Sequence, residues 1–270
     1  PIKSSAASDV YKRQGYHHGE CLPPEAGELG WRVFDVTDYG AVPDDGKSDR
    51  EAFKKAVLAA TGKDGNPEAN AIIYFPEGEF ILHTSEDDTD GRSSAIDIHG
   101  GHLLIRGAGR DRTVLVMQDP CNLADPPKMW TSPFLLKFSR KDSPAELSKV
   151  VKDSPKGSFS VEVESAEGIR PGDYICLNLT DNSPELIEKE FAPCRFEEQM
   201  TDFVKQGVKV RDYRKVKSVK GNRVTFYAPL LHEVDARYSW AVYSYPNYSE
   251  VGIEDVTFRG NACLLYTSDA

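Results

Sequence analysis

Apolar residues between Phe34 and Phe138 follow two rhythms. Ala52, Phe53, Ala56, Val57 and Ala60 recur at helical spacing and form one stripe of an amphipathic helix. Ser48, with Glu51 three residues on, matches a capping box at its start, and Thr61 with Gly62 marks its end. Ahead of the helix, Phe34 and Val36 predict a short strand entering a loop where Gly40, Pro43 and Gly46 supply special backbone angles. Beyond the helix the pattern becomes short apolar runs broken by turns: AIIYF from Ala71, FIL from Phe80, AIDI from Ala95, LLI from Leu103, TVLV from Thr113 and FLLKF from Phe134. Strands this short with no helices between them exclude a βαβ fold and leave a sandwich, a barrel or a β-solenoid. The leading helix selects the solenoid, because the first coil of a solenoid exposes an apolar end that an amphipathic helix can cover.

Two stretches depart from the coil pattern. Ser154 to Leu179 reads as two strands around a Pro-Gly turn, and Tyr213 to Tyr227 reads as a hairpin turning at Gly221 and Asn222. Between them Phe196, Met200, Phe203 and Val204 are spaced for one helical face that Gly207 ends. These stretches predict an inserted β-rich subdomain over 154–235, with solenoid coils at 15–153 and again at 236–262. In the resumed coils Val251, Ile253, Val256 and Phe258 point inward and Glu254 and Asp255 stand at a corner.

The two ends do not belong to this pattern. Ser4 to Gln14 and Cys263 to Ala270 can be encoded by the two strands of one DNA string that resembles a transposase library adapter. Segments 1–14 and 263–270 are therefore expected to be translated adapter on a truncated chain and are excluded from fold reasoning. The 270 residues carry 33 Lys and Arg against 43 Asp and Glu, a net charge of −10, which disfavours nonspecific nucleic-acid binding. No run of about 18 apolar residues could span a membrane. Cys21, Cys121, Cys176 and Cys194 show neither CxxC spacing nor a metal pattern, which leaves the redox compartment open.

VTDYGAVPDDGKSDREAFKKAV, then IIYFPEGEFIL, then LLIRGAGRDRTVL, resembles the amino-terminal part of the pectate-lyase-like superfamily, and the likeness returns in VGIEDVTFRGN. The resemblance implies an all-β chain: a right-handed parallel β-helix with an N-terminal capping α-helix. It also implies an exported, secreted or periplasmic protein that cleaves polysaccharide in a groove along one solenoid face, as a polysaccharide lyase or glycoside hydrolase. A noncatalytic saccharide-binding β-helix, such as a phage tailspike or adhesin, is the competing expectation. An enzyme of this kind is expected to be a monomer and a spike to be a trimer. If the reaction is elimination, the resemblance makes calcium the expected cofactor.

Candidate chemistry lies in several places. Asp44, Asp45 and Asp49 offer carboxylates of the kind calcium prefers but lack EF-hand spacing, and they read as turn and helix caps. His99 and His102 flank paired glycines and read as a tight turn, so no metal site is assigned. RGAGRDRT lacks the GxGxxG frame of a phosphate loop and reads as a solenoid corner. The densest cation run is Lys209 to Arg223, whose Arg211, Arg214 and Lys217 either grip an anionic polysaccharide or protect a hairpin edge. In HEVDARYSWAVYSYPNYS, Arg237, Tyr238, Trp240 and Tyr243 offer rings and a cation for pyranoses, with His232 and Asp235 as titratable neighbours. A hydrolase needs two carboxylates and a lyase a base with a charge-stabilising partner. Glu254, Asp235 and His232 are the catalytic candidates, and the set is expected to be completed by coils beyond Ala262.

Overall fold

A computed structural model describes residues 24–260 except 124, 126, 132 and 195–200. In chain order the elements are β1 (Arg32–Asp35), α1 (Arg50–Thr61), β2 (Ala71–Phe75), β3 (Gly78–His83), β4 (Ile96–Ile98), β5 (Leu103–Gly107), β6 (Thr113–Met117), β7 (Leu136–Phe138), β8 (Glu146–Lys152), β9 (Ser160–Val163) and β10 (Tyr174–Asp181). They continue with α2 (Pro184–Phe191), α3 (Thr201–Gln206), β11 (Val208–Lys220), β12 (Arg223–Phe226), β13 (Ala241–Ser244), β14 (Val251–Glu254) and β15 (Thr257–Gly260). The described chain divides into two compact units, one of residues up to Ser139 and from Tyr248, the other Arg140–Asn247.

The first unit is a stack of parallel strands. Its sheets run β1-β2-β5-β14, β3-β6-β15 and β4-β7, and every pairing is parallel. Equivalent apolar positions stack from coil to coil: Phe34 on Ile73 on Ile105, and Phe80 on Leu115. The interior is a buried apolar cluster that includes Ile73, Phe75, Phe80, Leu82, Ile98, Leu103 and Ile105. The α1 stripe of Ala52, Phe53, Ala56, Val57 and Ala60 joins this core, with the Phe53 ring 5.3 Å from Phe75 and Phe75 5.1 Å from Phe80. Contiguous burial of a residue and its neighbour, as in Ile72 with Ile73, makes these strands read as unbroken apolar runs.

The expected capping box is absent. α1 begins after Asp49, which makes no side-chain bond to its own helix. The buried Asp49 carboxylate instead accepts the backbone N–H groups of Val42 and Ile81, pinning the loop to β3, while Ser48 donates its hydroxyl to Asp87. At the other end of α1, Gly62 takes a positive φ of 74°, as a helix stop at that residue requires.

The second unit is a closed six-stranded antiparallel barrel in the order β10-β11-β12-β9-β8-β13. It is wider than the 154–235 expected from sequence, because β8 and β13 hydrogen-bond into it instead of extending the coils. Its core holds Val161, Val163, Ile175, Leu177, Val216, Val224, Phe226, Trp240 and Val242. The β11–β12 hairpin turns where the sequence placed it, with Gly221 at φ 56°. Phe196 and Met200 lie outside the described residues.

Candidate functional site

Parallel register places one chemically active residue per coil in a row. Asp35 lies opposite Tyr74, Tyr74 opposite Arg106 and Arg106 opposite Glu254. Strands about 4.8 Å apart turn these positions into a ladder of carboxylate, phenol, guanidinium and carboxylate. Two residues earlier on the same face, Ile72 and Leu104 are covered by Ala26, Leu29 and Trp31. Beside that cover lies a groove of about 510 Å³ lined by Trp31, Tyr74, Arg106 and Arg112.

Charge in the groove is fixed by Arg106, whose Nε lies 3.2 Å from Asp255 Oδ2 and 3.4 Å from Glu254 Oε1. Asp255 reaches it from a left-handed backbone conformation, φ 56°, which Asp tolerates better than most residues. Burial holds the Glu254 carboxyl above the usual carboxylate range, against the pull of Arg106. The close stacking here depends on Gly107, where a Cβ would overlap the Asp255 carbonyl. Trp31 is steadied by stacking on His102, ring centres 6.0 Å apart and planes within 6°. An oriented guanidinium, a phenol, a carboxyl of raised proton affinity and an indole wall can together hold a sugar carboxylate and move a proton next to it.

Of the residues singled out in the sequence, only Glu254 belongs to this ladder. Arg211 and Tyr243 both line a groove on the outer face of the barrel. Arg214 does not join them: it points inward, buried, its Nη2 2.6 Å from Asp212 Oδ1, because β11 alternates faces and positions 211 and 214 have opposite parity. Trp240 is 3% exposed and packs in the barrel core, with no face for a sugar. Lys217 sits 5.8 Å from the Tyr227 ring centre and Tyr238 lies beneath the Arg237 guanidinium. Asp235 is clamped by Arg237 Nε and Nη2, which lower its carboxyl to about 2 and leave it a poor base. His232 is exposed. Tyr74, Arg106 and Trp31 were missed. Their signal is register: YF of AIIYF and RG of LLIRG occupy matching places after matching apolar runs.

The described residues do not fit the expected calcium. Asp44 and Asp45 accept the backbone N–H groups of Glu79 and Lys47, and Asp49 is engaged as above. Among the described residues no three His, Cys, Asp or Glu side chains converge as a metal site. His99 and His102 hydrogen-bond instead to the Ser139 carbonyl and to Asn70.

Residues 33–117, which supply β1 to β6, match the family described as Rhamnogalacturonase A/epimerase, pectate lyase-like. Over that stretch, about a third of its length, the chain is similar to the pectate-lyase-like superfamily. It is 34% identical over 86 residues to the protein named Mannuronan C5-epimerase AlgE3 of Azotobacter vinelandii, an alignment covering 32% of this chain and 4% of that one. Its backbone is similar to the crystal structure of the Pseudomonas phage phi297 tailspike gp61, with a TM-score of 0.53 at 14% identity over 84% of this chain and 34% of the tailspike. That likeness concerns the fold. The chain thus spans a small part of the epimerase and about a third of the tailspike.

Proposed function

We propose that this protein acts on an acidic polysaccharide laid along the β1-β2-β5-β14 face of a right-handed solenoid that α1 caps at its front, and that it is exported to reach that substrate. The observation that carries the reading is the Tyr74, Arg106, Glu254 ladder, whose Tyr74 and Arg106 line the groove. The family description, which names a rhamnogalacturonase and an epimerase, and the name of the epimerase relative both support a uronate or uronate-containing substrate.

In this reading Arg106 binds the uronate carboxylate and stabilises the negative charge that builds when the adjacent C–H loses its proton. Tyr74 or Glu254 moves the proton, and Trp31 supports a sugar ring. The resulting carbanion has two balanced fates. It regains a proton on the opposite face, which is epimerisation, or it expels the neighbouring glycosidic oxygen, which leaves with a proton while a carbon–carbon double bond forms. No step is routed through calcium. A second reading, saccharide binding without turnover, is favoured by the two carboxylates already engaged with Arg106, since such a guanidinium is a fixed hydrogen-bonding element.

The test is incubation with uronate and neutral polysaccharides while following unsaturated ends by ultraviolet absorbance, reducing ends by colorimetry and epimer ratio by proton NMR. Wild-type turnover of a uronate polymer, reduced about 100-fold or more in Glu254→Gln, agrees with the proton-transfer role. Binding without any product selects the second reading, and neither binding nor product removes both.

A further inference from the structure

The barrel carries a second face whose chemistry the solenoid groove does not use. Antiparallel register lines up Glu146, Tyr243, Cys176 and Tyr213 across β8, β13, β10 and β11, with Asn178 opposite Arg211 in an adjacent row. Directly opposed side chains in a sheet lie about 5 Å apart, so these residues form one continuous surface. It encloses a groove of about 340 Å³ whose lining includes Asn178, Thr180, Arg211, Tyr213, Tyr243 and Tyr245. Tyr213 and Tyr245 stand with ring centres 4.4 Å apart and planes inclined by 44°, and both are more than a third exposed. Tyr243 is fixed by donating its hydroxyl to Glu146 Oε2 at 2.9 Å, which also raises its phenol above the ordinary range.

Arg211 completes the surface. It is exposed, and among the described residues its side chain holds no ion pair or hydrogen bond, unlike that of Arg214 behind it. Exposed aromatic rings that are rigid beside an uncommitted guanidinium suit the two halves of an acidic sugar: the apolar face of a pyranose and the carboxylate on its edge. Asn178 and Thr180 add polar groups for hydroxyls.

We propose that the barrel is a saccharide-binding module and that this face takes an oligosaccharide containing uronic acid, with Tyr213 and Tyr245 under the rings and Arg211 on a carboxylate. The inference shares with the reading of the solenoid only the class of sugar, since its residues are all in the barrel.

Titrating the protein with oligogalacturonate, and with a maltooligosaccharide of equal length, by isothermal calorimetry tests it. Wild-type protein is expected to bind the uronate preferentially. Arg211→Ala is expected to weaken that binding about tenfold, the loss of one charge-assisted contact, with little change for the neutral sugar. Arg211→Lys is expected to recover only part of it because the paired hydrogen bonds are gone. Tyr213→Ala is expected to weaken both sugars by roughly two- to tenfold. Circular dichroism melts of these surface variants check that the barrel is intact. Arg106→Ala, on the solenoid ladder, is expected to remove only the solenoid's share of uronate binding and to leave the component that Arg211→Ala and Tyr213→Ala weaken. Uronate affinity that falls in Arg106→Ala but not in Arg211→Ala or Tyr213→Ala would overturn the barrel site while leaving the solenoid reading standing. Absence of binding to either sugar would overturn it too.

Discussion

The solenoid and the barrel solve the burial of short strands in opposite ways. In the solenoid each coil lies on the next in parallel, so Ile73 meets Ile105 and Phe80 meets Leu115, and the interior is mostly apolar, with His83 and Thr113 buried at the β3–β6 pairing. In the barrel antiparallel neighbours close a ring, and β11 sends Val210, Asp212, Arg214 and Val216 inward while Arg211 and Tyr213 face out. Inside the solenoid, stacking places apolar residues at matching positions, as Ile73 on Ile105, whereas the barrel brings side chains from six strands together around the buried Asp212–Arg214 pair. Function follows the same division. The solenoid offers one active position per coil along a line, and the barrel offers a patch two rows wide.

The largest effects should come from breaking each interior in its own terms. Phe80→Ala in the solenoid removes a fully buried ring that touches Phe75, and should cost about 3–5 kcal/mol by urea denaturation. Asp212→Ala in the barrel should cost a similar ~3–5 kcal/mol for a different reason, because it strands the Arg214 guanidinium, whose Nε already has no partner. The double variant Asp212→Leu with Arg214→Met separates the two causes. It should be more stable than Asp212→Ala alone, since the unpaired charge goes and apolar volume replaces it. A double variant no better than the single one would mean that the pair itself, and not the stranded charge, holds the barrel together.

This contrast also accounts for what could be read from the sequence. The solenoid strands were legible because burial on both sides writes unbroken apolar runs, and AIIYF, LLI and TVLV all become strands. The ladder was not, because Tyr74 and Arg106 are 32 positions apart and meet only through a register that no local pattern states. In the barrel the cations were legible as a run but not as a surface. Counting Arg211 and Arg214 together ignored the two-residue alternation of a strand, which sends them to opposite faces. The same alternation separates the buried Trp240 from Tyr243 on the outside. Tyr245 belonged to the aromatic run the sequence offered, but Tyr213 was passed over, since the pairing of the two rings joins distant parts of the chain.

Glycine offers a smaller and sharper version of the comparison. At Gly107 φ is ordinary and space is the constraint, so Gly107→Ala must push the Asp255 carbonyl away and should cost about 1–3 kcal/mol, with disturbance of the Arg106 ion pairs. At Gly221 space is open and φ is 56°, so Gly221→Ala should cost only the left-handed strain, about 1 kcal/mol, and Gly221→Asn less still. Equal losses at both sites in thermal melts would show that coil stacking here is looser than the Gly107 contacts require.

The smallest effects concern pH, and here the two units differ in sign. In the barrel, hydrogen bonds from Arg237 lower Asp235 from the ordinary 3.8 to about 2. A carboxyl lowered on folding contributes stability above its unfolded value, and the contribution disappears as pH falls through the interval between about 4 and about 2. Because Arg237 is largely exposed, the effect is small, and it is read as the difference in melting temperature between wild type and Arg237→Ala, which should close across that acid interval. In the solenoid, burial raises Glu254 above its ordinary 4.5. The folded state then holds a proton that the unfolded state has released, so stability declines as pH rises from that value through the raised one. Glu254→Gln should therefore flatten the melting profile on the less acidic side while leaving the acid interval unchanged, and Arg237→Ala should do the reverse. A Glu254→Gln profile parallel to wild type at every pH would mean that its carboxyl is not held above the usual range, and with that would go its role as the proton carrier of the ladder.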